Sequence, residues 1–161
     1  MEAFLMEKAN LKIVAGPVDL NTAAVTGARV SMKDCKRVAF VVQMGDSVGA
    51  AVDLTLRQHD AASAGTSKDL SVANLYYTKA GTATKFTKVA PSVAAAAYNL
   101  AADFAAQEGI AVLEVLAEDL DTNNGFAWVS MDIADSGAAK LGTVLAVLGG
   151  AGLLPPYTQD I

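Results

Sequence analysis

One histidine and one cysteine bound the side-chain chemistry open to this chain. A serine–histidine–aspartate or cysteine–histidine relay needs an imidazole to take the nucleophile's proton. Any such relay here must run through His59, with Cys35 as the single thiol. His59 ends an alternating segment, next to Asp60 and ahead of a small, polar stretch. That setting suits a structural histidine at a strand end, and no catalytic residue is expected.

Oxygen ligands for calcium come nearest to a pattern at Asp119-Leu120-Asp121-Thr122-Asn123-Asn124-Gly125. A calcium loop places glycine at its sixth position and a bidentate glutamate at its twelfth. Here Gly125 arrives one residue late and Ser130 holds the twelfth place. A hairpin turn accounts for the same residues, because Asn-Gly tolerates the positive φ that tight turns require. Glu114, Glu118, Asp119 and Asp121 also lie close in sequence. Acid–base work by paired carboxylates needs environments that push their pKa values apart, and a solvated strand end is the simpler reading. The run Gly149-Gly150-Ala151-Gly152 is followed by Pro155 and Pro156, so no helix continues from it to offer amides to a phosphate. No metal and no cofactor are expected.

Two terminal segments invite a different kind of work. The segment from Gly152 to Ile161 carries Leu153, Leu154, Pro155, Pro156 and Tyr157. Proline keeps such a segment extended, and its apolar residues gain by lying on a neighbour. Phe4 and Leu5 play the same part at the other end. These seven residues are the expected interaction sites. Residues 1–10 read as an N-terminal arm, 11–149 as one β-sandwich domain, and 150–161 as a C-terminal arm.

The segments between the arms read as strands. Leu11–Ala15, Arg29–Met32, Arg37–Met44, Ala51–His59, Asn74–Thr78, Thr84–Val89, Ile110–Leu116, Phe126–Ile133 and Thr143–Leu148 are short apolar or alternating runs closed by turn residues. In Ala51–His59, Val52, Leu54 and Leu56 alternate with Asp53, Thr55 and Arg57, as in a half-buried strand. In Phe126–Ile133, Val129, Met131 and Ile133 take one face, with Phe126, Trp128, Ser130 and Asp132 on the other. Ala61–Lys68 reads as a loop. Pro91–Glu108 has a proline start, an alanine run and a stop at Gly109, so local rules predict a helix there. Eight or nine short strands with regular turns predict a mainly β fold, a β-sandwich or jelly roll.

Composition narrows the function. Hydrophobic residues make up 53% of the 161 residues, much of that alanine, and charged residues only 18%. A chain this short of charge is expected to hide surface in an assembly. Twelve basic against seventeen acidic residues give a net charge of −5, and no dense basic face is present to displace counterions from phosphates. Lys33–Arg37 is the one local basic cluster and reads as the solvated start of a strand. No nucleic-acid partner is expected. The apolar runs are too short to span a membrane, and Met1–Lys8 lacks the basic start and long apolar run of a signal peptide. The expectation is synthesis in the cytoplasm and no membrane partner.

Several of these segments resemble a known group. Leu113-Glu114-Val115, Asp119-Leu120-Asp121, Asn124-Gly125-Phe126, the alternation through Ile133, the Gly-Ala-Ala-Lys-Leu-Gly turn at 137–142 and the Arg-Val-Ala-Phe-Val-Val block at 37–42 are similar to the decoration, or cement, proteins of tailed-bacteriophage capsids. The resemblance implies a jelly-roll-like antiparallel β-sandwich with extended arms. It implies a non-enzymatic virion protein on the capsid exterior, made in the host cytoplasm, that binds major capsid proteins as a homo-oligomer, a dimer before a trimer. It also implies a strand over Tyr98 to Phe104 in place of the helix. The alternatives are a phage tail or head–tail connector component, or a carbohydrate- or receptor-binding β-sandwich using Trp128, Tyr76 and Tyr77.

Overall fold

A computed structural model of the chain describes residues 9–46, 52–72, 76–89, 96–100 and 107–149. Among the described residues eleven strands run in chain order: β1 (Ala9–Asp19), β2 (Val30–Ser31), β3 (Arg37–Met44), β4 (Asp53–His59), β5 (Ser67–Asp69), β6 (Tyr76–Ala80), β7 (Thr87–Val89), β8 (Ala97–Asn99), β9 (Gly109–Leu116), β10 (Trp128–Ile133) and β11 (Leu141–Gly149). Sheet A has the order β1-β11-β3-β9-β6-β7, and sheet B the order β2-β10-β4-β5, with β8 also on β4. Every strand pairing among the described residues is antiparallel. The fold is a mainly β, sandwich-like pair of sheets, as the strand rhythm predicts.

The core lies between the sheets. Val38, Phe40, Val42 and Met44 of β3, Ala111, Leu113 and Val115 of β9, and Val144, Ala146 and Leu148 of β11 are buried from sheet A. Leu54 and Leu56 of β4 and Val129, Met131 and Ile133 of β10 meet them from sheet B. Strict period-two alternation puts each of these sets on one side of its strand. Gly27 sits where sheet B closes over β1. A Cβ there would lie 2.1 Å from the Met131 carbonyl oxygen and 2.8 Å from Val14 Cγ1, so only glycine lets the two backbones approach.

Three local expectations fail, each for a tertiary reason. The loop expected at Ala61–Lys68 gives way at Ser67 to β5, whose residues are all exposed and which is a strand because it pairs with Arg57–His59 of β4. The helix expected over Pro91–Glu108 is overturned at Ala97–Asn99. There the chain is extended along β4, and Tyr98 is buried opposite Leu54. Burying an aromatic ring on the sheet outweighs the helix preference of its alanine neighbours. Of the strand implied over Tyr98 to Phe104, Tyr98 and Asn99 lie in β8 and Leu100 lies beyond its end, while residues 101–104 fall outside the described residues.

The third concerns Asp121–Gly125. It is a turn, with Gly125 in the left-handed region at φ 82°, but it does not join a hairpin. β9 belongs to sheet A and β10 to sheet B, so the turn carries the chain across the top of the sandwich. The arms at 1–10 and 150–161 fall, apart from Ala9 and Asn10 of β1, outside the described residues.

Candidate functional site

The outer face of sheet A departs from what a solvated sheet should be. An antiparallel sheet with one wet face alternates apolar and polar residues. Here the outward positions are apolar as well. Residues directly opposite in antiparallel strands share a face, so the register writes out the rows. Ile13 pairs with Leu145, Leu145 with Val41, and Val41 with Val112. The next row runs Leu11, Val147, Ala39, Glu114. Ile13 is 66% exposed, Leu11 47% and Leu145 37%, with Leu141 at 61% beyond them at the start of β11. Val41, Val112 and Val147 are half-buried by their neighbours in the sheet. At one border Arg37 and Glu114 form an exposed ion pair of 3.1 Å. Outward from it, the face is neutral through Gln43 and Thr143.

The outer face of sheet B is polar and carries the histidine. Registry sets Trp128 opposite His59, and His59 opposite Ser67. His59 Nδ1 lies 2.7 Å from Ser67 Oγ, and Nε2 lies 2.9 Å from Ser130 Oγ. Ser130 Oγ reaches Asp132 Oδ1 at 3.4 Å, and Arg29 Nη2 donates to Ser67 Oγ at 3.2 Å. A neutral imidazole has one donor and one acceptor nitrogen. The consistent set has Ser130 donating to Asp132 and accepting from Nε2–H, while Nδ1 accepts from Ser67. In that arrangement both ring nitrogens are engaged by serine hydroxyls.

Access argues the same way, since His59 is 3% exposed and Ser130 0%. Arg29 closes the lid over them by donating to the carbonyls of Ala61 at 2.8 Å and Ala64 at 2.6 Å. Asp60 accepts the Thr66 amide at 2.8 Å to tie the loop at its neck. Burial pushes the His59 pKa below its usual 6.5, with Arg29 adding to the effect and Asp132 opposing it. The network locks β4, β5 and β10 together around a neutral ring.

The other candidates disperse. Both His59 ring nitrogens are taken by serines, so Cys35 has no imidazole partner. Burial first, then Asp34, raises its pKa, so it is a thiol rather than a thiolate. Of the four carboxylates, Glu114 pairs with Arg37. Asp119 accepts the Leu116 amide at 2.8 Å. Asp121 accepts from Lys68 and from Asn124 Nδ2 at 2.9 and 3.0 Å, and those bonds hold its pKa below the ordinary value. Lys68 also lies 4.4 Å from the Phe126 ring centre. Among the described residues no three His, Cys, Asp or Glu side chains gather as a metal would need. No described helix is long and apolar enough to cross a membrane. Trp128 is half-buried beside His59. The expected interaction residues Phe4, Leu5, Leu153, Leu154, Pro155, Pro156 and Tyr157 lie outside the described residues.

Sequence reading missed the apolar outer face. The signal was present in β3, β9 and β11, whose runs are apolar at both even and odd positions, the mark of a sheet covered on both sides.

No protein-family model and no curated protein matches this chain. Among solved structures, the SPBc2 prophage-derived protein YomS is similar to it, at TM-score 0.47 and 10% identity, over 93% of this chain and 100% of that one.

Proposed function

We propose that this protein is a structural virion protein that decorates and stabilises the outside of an icosahedral phage capsid as a homo-oligomer bound to major capsid protein. The observation that carries the reading is the outward apolar row Ile13–Leu145–Val41–Val112. An exposed apolar patch of this extent marks a surface made to be covered. Shell reinforcement needs such surfaces, a stable β body and many copies on a symmetric lattice, and it needs no nucleophile, base or metal. The low charge agrees with it.

The strand order agrees too. With β5, β6 and β7 set aside, β1-β11-β3-β9 lies over β2-β10-β4-β8. Successive strands switch sheets at each end of the chain, a winding that supports the jelly-roll-like body the resemblance implies. The burial of His59 between Ser67 and Ser130 favours a non-enzymatic role.

The test is co-sedimentation of the purified protein with capsids that lack it, paired with a native mass. Saturable binding at a fixed ratio to the major capsid protein is expected. No binding, with the protein folded and the shells intact, refutes the reading. A ring of higher rotational order would move the assignment to a tail or connector component.

A further inference from the structure

We propose that the outer face of sheet A is a two-fold interface on which a second copy of this chain docks face to face. The inference rests on the reading of that face as the protein's functional surface, and it names the partner.

Area is the first argument. Strands about 4.8 Å apart, with residues rising about 3.4 Å, give β1, β11, β3 and β9 a plan area of roughly 500 Å². Two copies would cover roughly 1,000 Å² between them, the level at which a specific interface begins. Side-chain relief from Ile13 and Leu11 adds to that plan area.

Charge is the second. The whole chain carries −5, so two copies repel through most of their surface. This face is the exception. Across β1, β11, β3 and β9, Glu114 is paired with Arg37 at the border and the rows through Leu145, Val41, Gln43 and Thr143 are uncharged. Charge returns only at the margins, at Asp19 opposite Leu141 and in the register rows that continue to Lys79 of β6 and Lys88 of β7. A two-fold axis through the middle of the face sets the Arg37–Glu114 pairs at opposite borders, so these pairs do not meet and the uncharged rows face each other. An uncharged centre suits an identical face better than one chosen for charge complementarity.

Shape is the third. The outward side chains near the middle, Val41, Val112, Val147 and Ala39, are short, and the hollows among the described residues lie at the two ends of β3 and β9, by Gln43 and Ile110 and by Arg37 and Leu116, rather than across the centre. Two twisted sheets pack over such surfaces about 10 Å apart, as sheet A already does on sheet B. The edges are closed to the other route, pairing strand to strand. β1 shifts register between Ile13 and Ala15 and again before Val18, around Gly16-Pro17. β7 is three residues long, with Lys88 exposed. Bulges, proline, short strands and lysine are the devices that block edge pairing.

Sedimentation velocity and native mass spectrometry of the full chain test the proposal. The wild type should run as a dimer, twice 16.5 kDa. Leu145→Lys, and separately Ile13→Lys, should weaken self-association by about a hundredfold or more, because each buries an unpaired ammonium in an apolar joint. Circular dichroism and a cooperative melt check that the variants fold.

A second measurement uses the Cys35→Ser background. Val41→Cys, near the proposed axis, should be joined to its copy by a short bis-maleimide thiol crosslinker, which can span sheets about 10 Å apart, and Thr55→Cys on the outer face of sheet B should not. A monomeric or trimeric wild type overturns the proposal, as does a Leu145→Lys protein that stays dimeric. A monomer that binds capsids through Leu145 gives the face to a shell protein: self-pairing fails and the decoration reading stands. A dimer that ignores capsids does the reverse.

Discussion

Ile13 and Leu145 stand directly opposite each other across the β1–β11 ladder, and both point to solvent. Their backbone neighbours Val14 and Val144 are buried. The same sheet is thus apolar toward the core and apolar toward water, and the two sides should answer differently to truncation.

Phe40 lies at the centre of β3 and is fully buried. Phe40→Ala should cost about 3–5 kcal/mol of unfolding free energy. Ile13→Thr and Leu145→Thr should each cost less than about 1 kcal/mol, the range of a cross-strand pair on an open face. Urea unfolding, at concentrations low enough to keep the chain monomeric, measures both. A large loss from Leu145→Thr would mean that the outer face is already covered by its own chain.

His59 gives a pH dependence of known sign. Its folded pKa lies below 6.5 because burial and Arg29 disfavour the charged ring. The unfolded chain therefore takes up the proton first. The contribution of the neutral ring is fully present above about pH 6.5 and is lost as pH falls through the lower folded value. His59→Ala should flatten this slope and cost about 1–3 kcal/mol at neutral pH, since buried Ser130 loses a partner. Denaturation curves from pH 7.5 down to pH 5.5 are the check. A wild type growing more stable over that descent would reverse the assignment.

Arg29 should act on the histidine at a distance. Its guanidinium holds the Ala61 and Ala64 carbonyls and Ser67, and its charge depresses the His59 pKa. Arg29→Met should move that pKa back toward 6.5 in an NMR titration of the ring, and should speed amide exchange in residues 61–66. An unchanged pKa would mean that burial and Arg57 depress it without Arg29.

Much of the fold could be read in the chain. β4 is visible because Leu54 and Leu56 alternate with Thr55 and Arg57, and β10 because Val129, Met131 and Ile133 alternate with Ser130 and Asp132. β5 could not be read, because Ser67, Lys68 and Asp69 carry no apolar pattern and owe their conformation to β4. Nor could Tyr98, whose alanine neighbours signal helix while its own burial against Leu54 decides for strand. The site was legible only in part. Ser130 and Asp132 share the polar face of β10 in the alternation alone, but His59 joins them through the pairing of strands 71 residues apart in sequence. The apolar outer row was hidden for a different reason. When both faces of a strand are apolar, periodicity no longer says which side is the core.

Gly27 tests how closely the sandwich closes. Its amide donates to Asp132 Oδ1 at 3.0 Å, and a Cβ would strike the Met131 carbonyl. Gly27→Ala should destabilise by about 1–3 kcal/mol, the cost of overpacking, since the obstacle is backbone rather than a side chain able to swing away. Thermal melts will register it. A neutral result would show that the connection before β2 can retreat.

The most direct test of the account is mechanical. Capsids lacking this protein are heated until they release their contents, alone, with wild-type protein added back, and with Leu145→Lys. Wild-type protein should raise the rupture temperature in a saturable way, and Leu145→Lys should do so much less. Shells that bind the wild type yet rupture at the same temperature would contradict the claim that this protein works by covering and reinforcing a surface.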